Sequence, residues 1–415
     1  MKSFVKRESK LLELIGNVNC LNCNHSFSFH RGEDQKKKEN RKLELLEKKK
    51  FGELLSLSKV LEEDKFILYN SNKTIQIVED DANFQVKEVQ LSHQIKNNVH
   101  KLVCMETGKE DKFATFLVSD QTDQLILQKG SRTLNFAKEG ENNNLRITSN
   151  LIFFPLETTN IINSKELFFV GFSDGSLACY CTHIFGENEL EGELEKDSFF
   201  PIFPNSQEKQ FFLPNQVYRI NWRENSPITN ISFHKEFGLF GNRNSQICFF
   251  KVSFTDKEGS RIPQTHLNFM HEERIEFGKV TCSDWSHSFG EGQEKSVLVF
   301  VGGEDDNVHI FQLKTISSSV SKIRQIVSHN SFISSLKLHH HKESLFLISA
   351  SIDSLVKLWF YNKNENNLEF ISEIQFPSNE LPQHIEVTLK NQLLILSIKE
   401  NNSFLQLFKL AAFIK

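Results

Sequence analysis

Residues 347–359 read Leu347-Ile-Ser-Ala-Ser-Ile-Asp353-Ser-Leu-Val-Lys-Leu-Trp359. An apolar run enters a Ser-x-Asp turn, and an alternating run leaves it and ends on Trp six residues after the Asp. Alternation on both sides of an Asp-centred turn is β-hairpin chemistry. His329 stands upstream, where a unit containing this hairpin would begin.

The second half of that stretch is a pattern: a turn residue, two spacers, an apolar residue, one spacer, then two apolar or aromatic residues. It recurs at Asn402–Phe408, Asp305–Phe311, Asn244–Phe250 and Asp174–Tyr180. Asn72–Val78 fits with a weaker end, and Thr122–Gln128 fits if the turn after Val118 carries extra residues. The seven starts are separated by 50, 52, 70, 61, 48 and 49 residues. A strongly apolar run precedes six of them, and only the fourth, at Phe237–Phe240, is short. Seven hairpins at near-regular spacing predict a repeat architecture, in which no unit buries both of its faces alone.

On these residues the chain resembles the WD40-repeat family, whose units are four-stranded blades of a β-propeller. The resemblance covers about residues 50 to 410 and is densest in the last third. It implies an all-β fold, a seven-bladed WD40-like propeller over residues 51–415. It also implies one hydrogen-bonded tetrad, His329, Ser351 (or Ser349), Asp353 and Trp359, in which the Asp holds the imidazole, the imidazole meets the hydroxyl and the hydroxyl meets the indole N–H. Elsewhere Phe, Tyr or Val replaces the Trp, and Ser328 stands where a Gly would precede His329.

Before the repeats, residues 1–32 read as an arm in which 17–29 form a strand that closes the ring against the last unit. Residues 33–50 lack Gly, Pro and β-branched side chains, which predicts a helical or disordered insertion. From Asp34 to Lys50 there are eight basic and four acidic residues. A solvated surface element is one reading; nuclear import or RNA contact through Lys36, Lys37, Lys38, Arg41 and Lys42 is the other. Two insertions interrupt the repeats. Residues 186–216 carry an acidic run followed by Phe199, Phe200, Phe203, Phe211 and Phe212, either packed within the protein or offered to a partner protein. Residues 255–278 read as a polar connection.

A net charge of −4 argues against a global basic field for nucleic acid or anionic lipid. Phe, at 39 residues, takes many positions where Leu, Val or Trp would serve, which fits coding bias better than function. Seven scattered cysteines make no disulfide framework and suit a reducing compartment. The start lacks the apolar core of a secretory signal, and no apolar run reaches the ~20 residues of a membrane span. The expected location is intracellular, cytoplasmic or nuclear.

Several apparent motifs read as structure. Gly171-Phe-Ser-Asp-Gly175 has the spacing of a nucleophile elbow, but it falls on a hairpin turn and not on a strand-to-helix turn. Cys20 and Cys23 are followed too closely by His25 to build a second zinc arm. His339, His340 and His341 read as a loop between strands. The strands expected innermost show no paired Asp, Glu or His, and no phosphate loop or His-Glu-x-x-His is present. The Phe-Arg-Arg-Gly of phosphoinositide-binding propellers is absent, and Trp359 lacks the Asp-x-Arg that often follows it in cullin-ligase receptors. The reading is therefore a non-catalytic protein-interaction scaffold subunit of a multiprotein complex, with no metal, cofactor, membrane or small-molecule substrate expected. The alternative is an accessory subunit that presents RNA or tRNA to a catalytic partner.

Overall fold

The computed structural model describes residues 43–51, 165–183, 226–255, 264–290, 295–388, 390–400 and 402–410, together with shorter strands between residues 54 and 219. Their regular structure is all β; no helix, and so none able to cross a membrane, occurs among the described residues. In chain order β1 (Glu44–Phe51) is followed by a sheet of β2 (Leu54–Lys59), β3 (Lys65–Asn70), β4 (Thr74–Glu79) and β5 (Gln85–Gln90). The next sheet holds β6 (Val99–Glu106), β7 (Phe113–Ser119), β8 (Leu125–Lys129) and β9 (Arg132–Phe136). The third holds β10 (Ile152–Phe154), β11 (Lys165–Gly171) and β12 (Ser176–His183), then, past β13 (Phe211–Phe212), β14 (Gln216–Arg219). The fourth is β15 (Ile228–His234), β16 (Phe237–Asn242), β17 (Gln246–Thr255) and β18 (Gln264–Arg274). The fifth is β19 (Val280–Trp285), β20 (Ser296–Gly303), β21 (Asn307–Lys314) and β22 (Ser319–Val327). The sixth is β23 (Ile333–His341), β24 (Ser344–Ser351), β25 (Leu355–Asn362) and β26 (Asn367–Gln375). The last is β27 (Leu381–Val387), β28 (Gln392–Lys399) and β29 (Asn402–Lys409), and β1 is its fourth strand.

Seven sheets thus form among the described residues, and each recurring hairpin of the sequence is the second and third strand of one of them. The registers agree. Trp359 lies opposite Leu347, Phe311 opposite Val299, Phe250 opposite Gly238 and Phe408 opposite Leu393. Val78, Gln128 and Tyr180 hold the same place opposite Phe66, Thr115 and Phe168. The second strands β16, β20 and β24 are buried almost end to end. Neighbouring sheets cover both of their faces, which is why they read as continuous apolar runs instead of alternating ones.

The sheets meet through their first strands: β2 packs beside β6, β10 beside β15, β15 beside β19, β19 beside β23, and β23 beside β27. These strands are more polar, and they carry a β-bulge near the start, at Thr229, Thr281, Ser334 and Gln383 in the last four. Three bulged residues use a hydroxyl as an inter-sheet latch. Thr229 Oγ1 donates to the carbonyl of Val280 (2.6 Å), Thr281 Oγ1 to that of Ile333 (2.5 Å), and Ser334 Oγ to that of Pro382 (2.7 Å). Each acceptor immediately precedes the next bulge. Successive first strands therefore run in the same direction, and equivalent turns gather on the same side.

Three expectations need correction, and the strand expected at residues 17–29 lies outside the described residues. Residues 44–50, expected to be helical or disordered, are strand β1, paired antiparallel with β29 from Glu44↔Lys409 to Phe51↔Ser403. Helix propensity yields there to tertiary pairing, and a Lys-rich strand is tolerated because β1 is the outer edge of its sheet. The place predicted for residues 17–29, beside the last strand, is taken by β1; residues 1–42 lie outside the described residues. The polar connection at 255–278 contains strand β18, the fourth strand of its sheet. The insertion at 186–216 ends in structure: Phe211–Phe212 pairs parallel with Asn135–Phe136 of β9, and Gln216 opens β14.

Gly238 is a close approach on which the fourth sheet depends. A Cβ there would overlap the rings of Phe250 and Phe233, which cross it edge to face with centroids 5.3 Å apart. Gly238→Ala should therefore destabilise the protein by about 1–3 kcal/mol, the usual cost of overpacking. Guanidinium denaturation checks this, and an unchanged midpoint would show that the two rings move aside freely.

Candidate interaction surface

The hairpin that opened the sequence reading holds a connected polar relay. His329 Nδ1 lies 3.0 Å from Asp353 Oδ2, His329 Nε2 lies 2.8 Å from Ser349 Oγ, and Trp359 Nε1 donates to the same Ser349 Oγ at 3.0 Å. The carboxylate only accepts, so Nδ1 carries the proton, and Ser349 donates to Nε2 while accepting from the indole. The hydroxyl is Ser349 and not Ser351. Both lie on one face of β24, but Ser351 sits at the turn, where its Oγ donates to Ser331 O (2.9 Å) and accepts from the Asp353 N–H (3.1 Å). Burial works to raise the Asp353 carboxyl, but His329 and the N–H groups of Asn330 and Leu355 hold it down at about 2.

Other sheets fill the corresponding region differently. In the fifth, buried His309 meets Asp305 (Nε2 to Oδ2, 2.7 Å). Burial opposes the Asp305 carboxylate, yet His309 and two backbone N–H groups leave its pKa below the usual value. In the fourth, Asn242 Nδ2 donates to Gln246 Oε1 (2.7 Å). In the last, the buried Glu380 carboxylate accepts from Ser397 Oγ (2.6 Å), Gln406 Nε2 (2.5 Å) and Lys48 Nζ (3.1 Å). Lys48, part of the basic run, thus fastens β1 to its sheet.

The first strands also join polar groups that the sequence reading missed. Asp284, Lys337 and Glu386 occupy β19, β23 and β27. Lys337 Nζ lies 2.9 Å from Glu386 Oε2, and Asp284 Oδ2 accepts the Leu338 N–H at 2.7 Å. The expectation of no paired acids on these strands is therefore overturned. Burial opposes the Lys337 ammonium, but Glu386 and Asp284 hold its pKa above the ordinary value; burial also raises Asp284, and Lys337 only partly offsets it. Beside them Trp285 Nε1 donates to Ser232 Oγ (2.7 Å), and Ser283 Oγ meets Ser232 Oγ and Asn230 Nδ2, both at 2.6 Å. The detectable signal was spacing: these partners lie 49 to 54 residues apart.

Gly171–Gly175 makes the hairpin turn between β11 and β12, with Gly175 at φ 81° and Asp174 Oδ1 accepting the Ser176 N–H at 2.9 Å. His339, His340 and His341 are not a loop: they end β23, and the turn is Lys342–Glu343. Phe211 and Phe212 pair through their backbone with Asn135 and Phe136 of β9. Phe199, Phe200, Phe203, Lys36, Lys37, Lys38, Arg41, Lys42 and Cys20–Cys23 lie outside the described residues. No cluster of three or more potential metal ligands occurs among the described residues.

The two sides that gather the turns differ in charge. The side of the Asp- and Asn-bearing hairpin turns carries Glu276, Glu304, Asp306, Asp353 and Glu400 against Arg243, Lys279 and Lys399. Burial, then Asp305 and Asp353 nearby, raise the Asp306 carboxyl, which marks a local excess of negative charge. The opposite side presents Lys235, Lys295, Lys314, Lys342, Lys363 and Lys390, all exposed, against Glu236, Glu343 and Glu365. No protein-family model matches the chain, and no curated protein matches it either.

Two outcomes follow. Ser349→Ala leaves the buried His329 Nε2 and Trp359 N–H unpaired, and should cost about 2–4 kcal/mol in a denaturation midpoint; a loss no larger than that of an exposed serine would show the relay contributes nothing. Burial first, then His287, His339 and Lys363, lower His340 to about 4. Between about 4 and the ordinary 6.5 the unfolded chain then binds more protons than the folded one, so stability rises with pH through that window. Melting temperature should drop from pH 7 to pH 5, and His340→Gln should flatten that drop.

Proposed function

We propose that the seven sheets are blades of one closed seven-bladed β-propeller, and that the protein is a non-catalytic scaffold within a multiprotein complex. The repeated hydroxyl latches support a common axis. The last sheet joins both ends of the described chain, β1 with β27–β29, and packs Leu394, Leu396, Leu405 and Leu407 with Leu68 of the sheet that follows β1. Closure of this kind removes exposed sheet edges at the start and end of the array.

The observation that carries the scaffold reading is the contrast in charge, among the described residues, between two turn-bearing sides. Rigid surfaces bind with little loss of conformational entropy, and complementary potential selects and steers partners. Catalysis draws no support from the polar interior. Asp353, Glu380 and Asp284 are each engaged by neighbouring donors, and a lysine held above its ordinary pKa is a poor base or nucleophile at neutral pH.

Affinity purification of the tagged protein from its native cells, followed by size-exclusion chromatography and mass spectrometry, tests the reading. Partners at fixed stoichiometry are expected. The combined variant Glu276→Gln, Asp306→Asn, Glu400→Gln should lose at least one of them without a change in melting temperature. Elution as a free monomer, with no partner retained, would overturn the proposal.

A further inference from the structure

The lysine-bearing side has a centre where the fifth and sixth sheets meet. His287, exposed after β19, stacks on His340 of β23 with ring centroids 4.2 Å apart and planes at 38°. Its backbone N–H donates to His340 Nε2 at 3.0 Å, so that nitrogen is an unprotonated acceptor. Lys363 Nζ stands 6.0 Å from the centroid of Phe289 and donates to the Glu343 carbonyl at 3.0 Å. Lys295 flanks Ser296, which is bridged to Phe289, and Lys342 follows the end of β23. Phe289 packs against the core of the fifth and sixth sheets, and Lys295, Lys342 and Lys363 are exposed in the adjoining turns with Glu343 and Glu365 among them. Lys363 and His287 lower the His340 pKa after burial does, as a local positive potential requires.

Other features of this side extend the cluster. Lys235, Lys314 and Lys390 lie exposed on turns at the same end of neighbouring sheets. The described chain enters β1 at Glu44, which pairs with Lys409 at this end of the last sheet. Among the described residues of its turns, Ile316 is the large apolar side chain left exposed. Membrane insertion calls for more apolar surface than that.

We propose that this side binds single-stranded RNA, with the lysines on phosphates and the exposed His287 ring as a stacking surface for bases. Backbone neutralisation by lysines combined with stacking on flat rings is the physics of sequence-tolerant single-strand binding. A chain of net charge −4 can offer a local basic surface where, among the described residues, lysines gather on one side.

Fluorescence anisotropy of a short labelled oligouridylate with the full-length protein tests the proposal. Binding at low salt should weaken with added salt, the logarithmic slope being about −0.7 for each phosphate contacted. Lys295→Glu, Lys342→Glu, Lys363→Glu together should weaken binding at least tenfold and bring the slope about 2 closer to zero. His287→Ala should weaken it severalfold. Arg243→Glu with Lys399→Glu, on the other side, should change nothing. If the triple reversal fails to fold, the corresponding Gln variants should show a smaller loss in the same direction. Removing residues 1–42 should leave a component that still depends on the three lysines. Absence of salt-dependent binding, binding lost with residues 1–42 but insensitive to the three lysines, or anionic lipid vesicles bound with the same lysine dependence would each overturn the proposal.

Discussion

Every second strand in this protein is apolar on both of its faces, and that constraint organises the rest. Such a strand cannot sit in a sheet with one side in water, so each sheet needs a neighbour on either side. The shared clusters show the demand being met: Phe249 and Phe311 pack across the fourth and fifth sheets, Leu298 and Leu347 across the fifth and sixth, and Ile348 and Ile395 across the sixth and last. A linear stack would leave two such faces bare at its ends. The packing of Leu68 with the strands of the last sheet meets the same need at the point where the array begins.

The last sheet also explains the treatment of β1. Three strands come from the end of the chain, and the fourth comes from residues 44–51. An outer edge strand faces solvent along one side, so Lys50 is exposed and Glu47 and Lys49 are only partly covered. Lys48 alone reaches inward, to a carboxylate that is otherwise buried and that already holds Ser397 and Gln406. Truncating Lys48 would leave Glu380 with less compensation, and breaking such pairs costs more than their formation contributes. The interaction acts as a check on register, since a slip of one residue along β29 would turn Lys48 to the opposite face.

The middle hairpins were legible from single residues, because burial on both faces makes apolar runs and a tight turn demands Asp, Asn or Gly. Even the short hit at Phe237 proved to be a fully buried strand. The first strands were not legible, since their side chains alternate between latches, ion pairs and packing, and no local period survives that mixture. Their information lies between units, in the recurrence of Thr229, Thr281 and Ser334 and in the placement of Asp284, Lys337 and Glu386. The sequence left Ser351 and Ser349 as alternatives for the relay because they share a face, and the reach of Trp359 and His329 to Ser349 separates them. The basic run at 44–50 was misread for a different reason. Propensity and composition describe an isolated segment, while this one is fixed by a partner some 360 residues away.

The polar networks suggest why so regular a fold has so faint a sequence signature. One region of each sheet needs its buried donors and acceptors matched, and nothing more specific than that. His329, Ser349 and Trp359 around Asp353 are one solution. His309 with Asp305, Asn242 with Gln246, and Glu380 with Ser397, Gln406 and Lys48 are three others, built from different side chains. Each is built within its own sheet, and His309 Nδ1 is left without a partner, so each is free to differ from its neighbours without disturbing the strands around it. What must stay constant from sheet to sheet is the spacing that brings one bulge to the carbonyl before the next, because that contact is shared and no unit can change it alone.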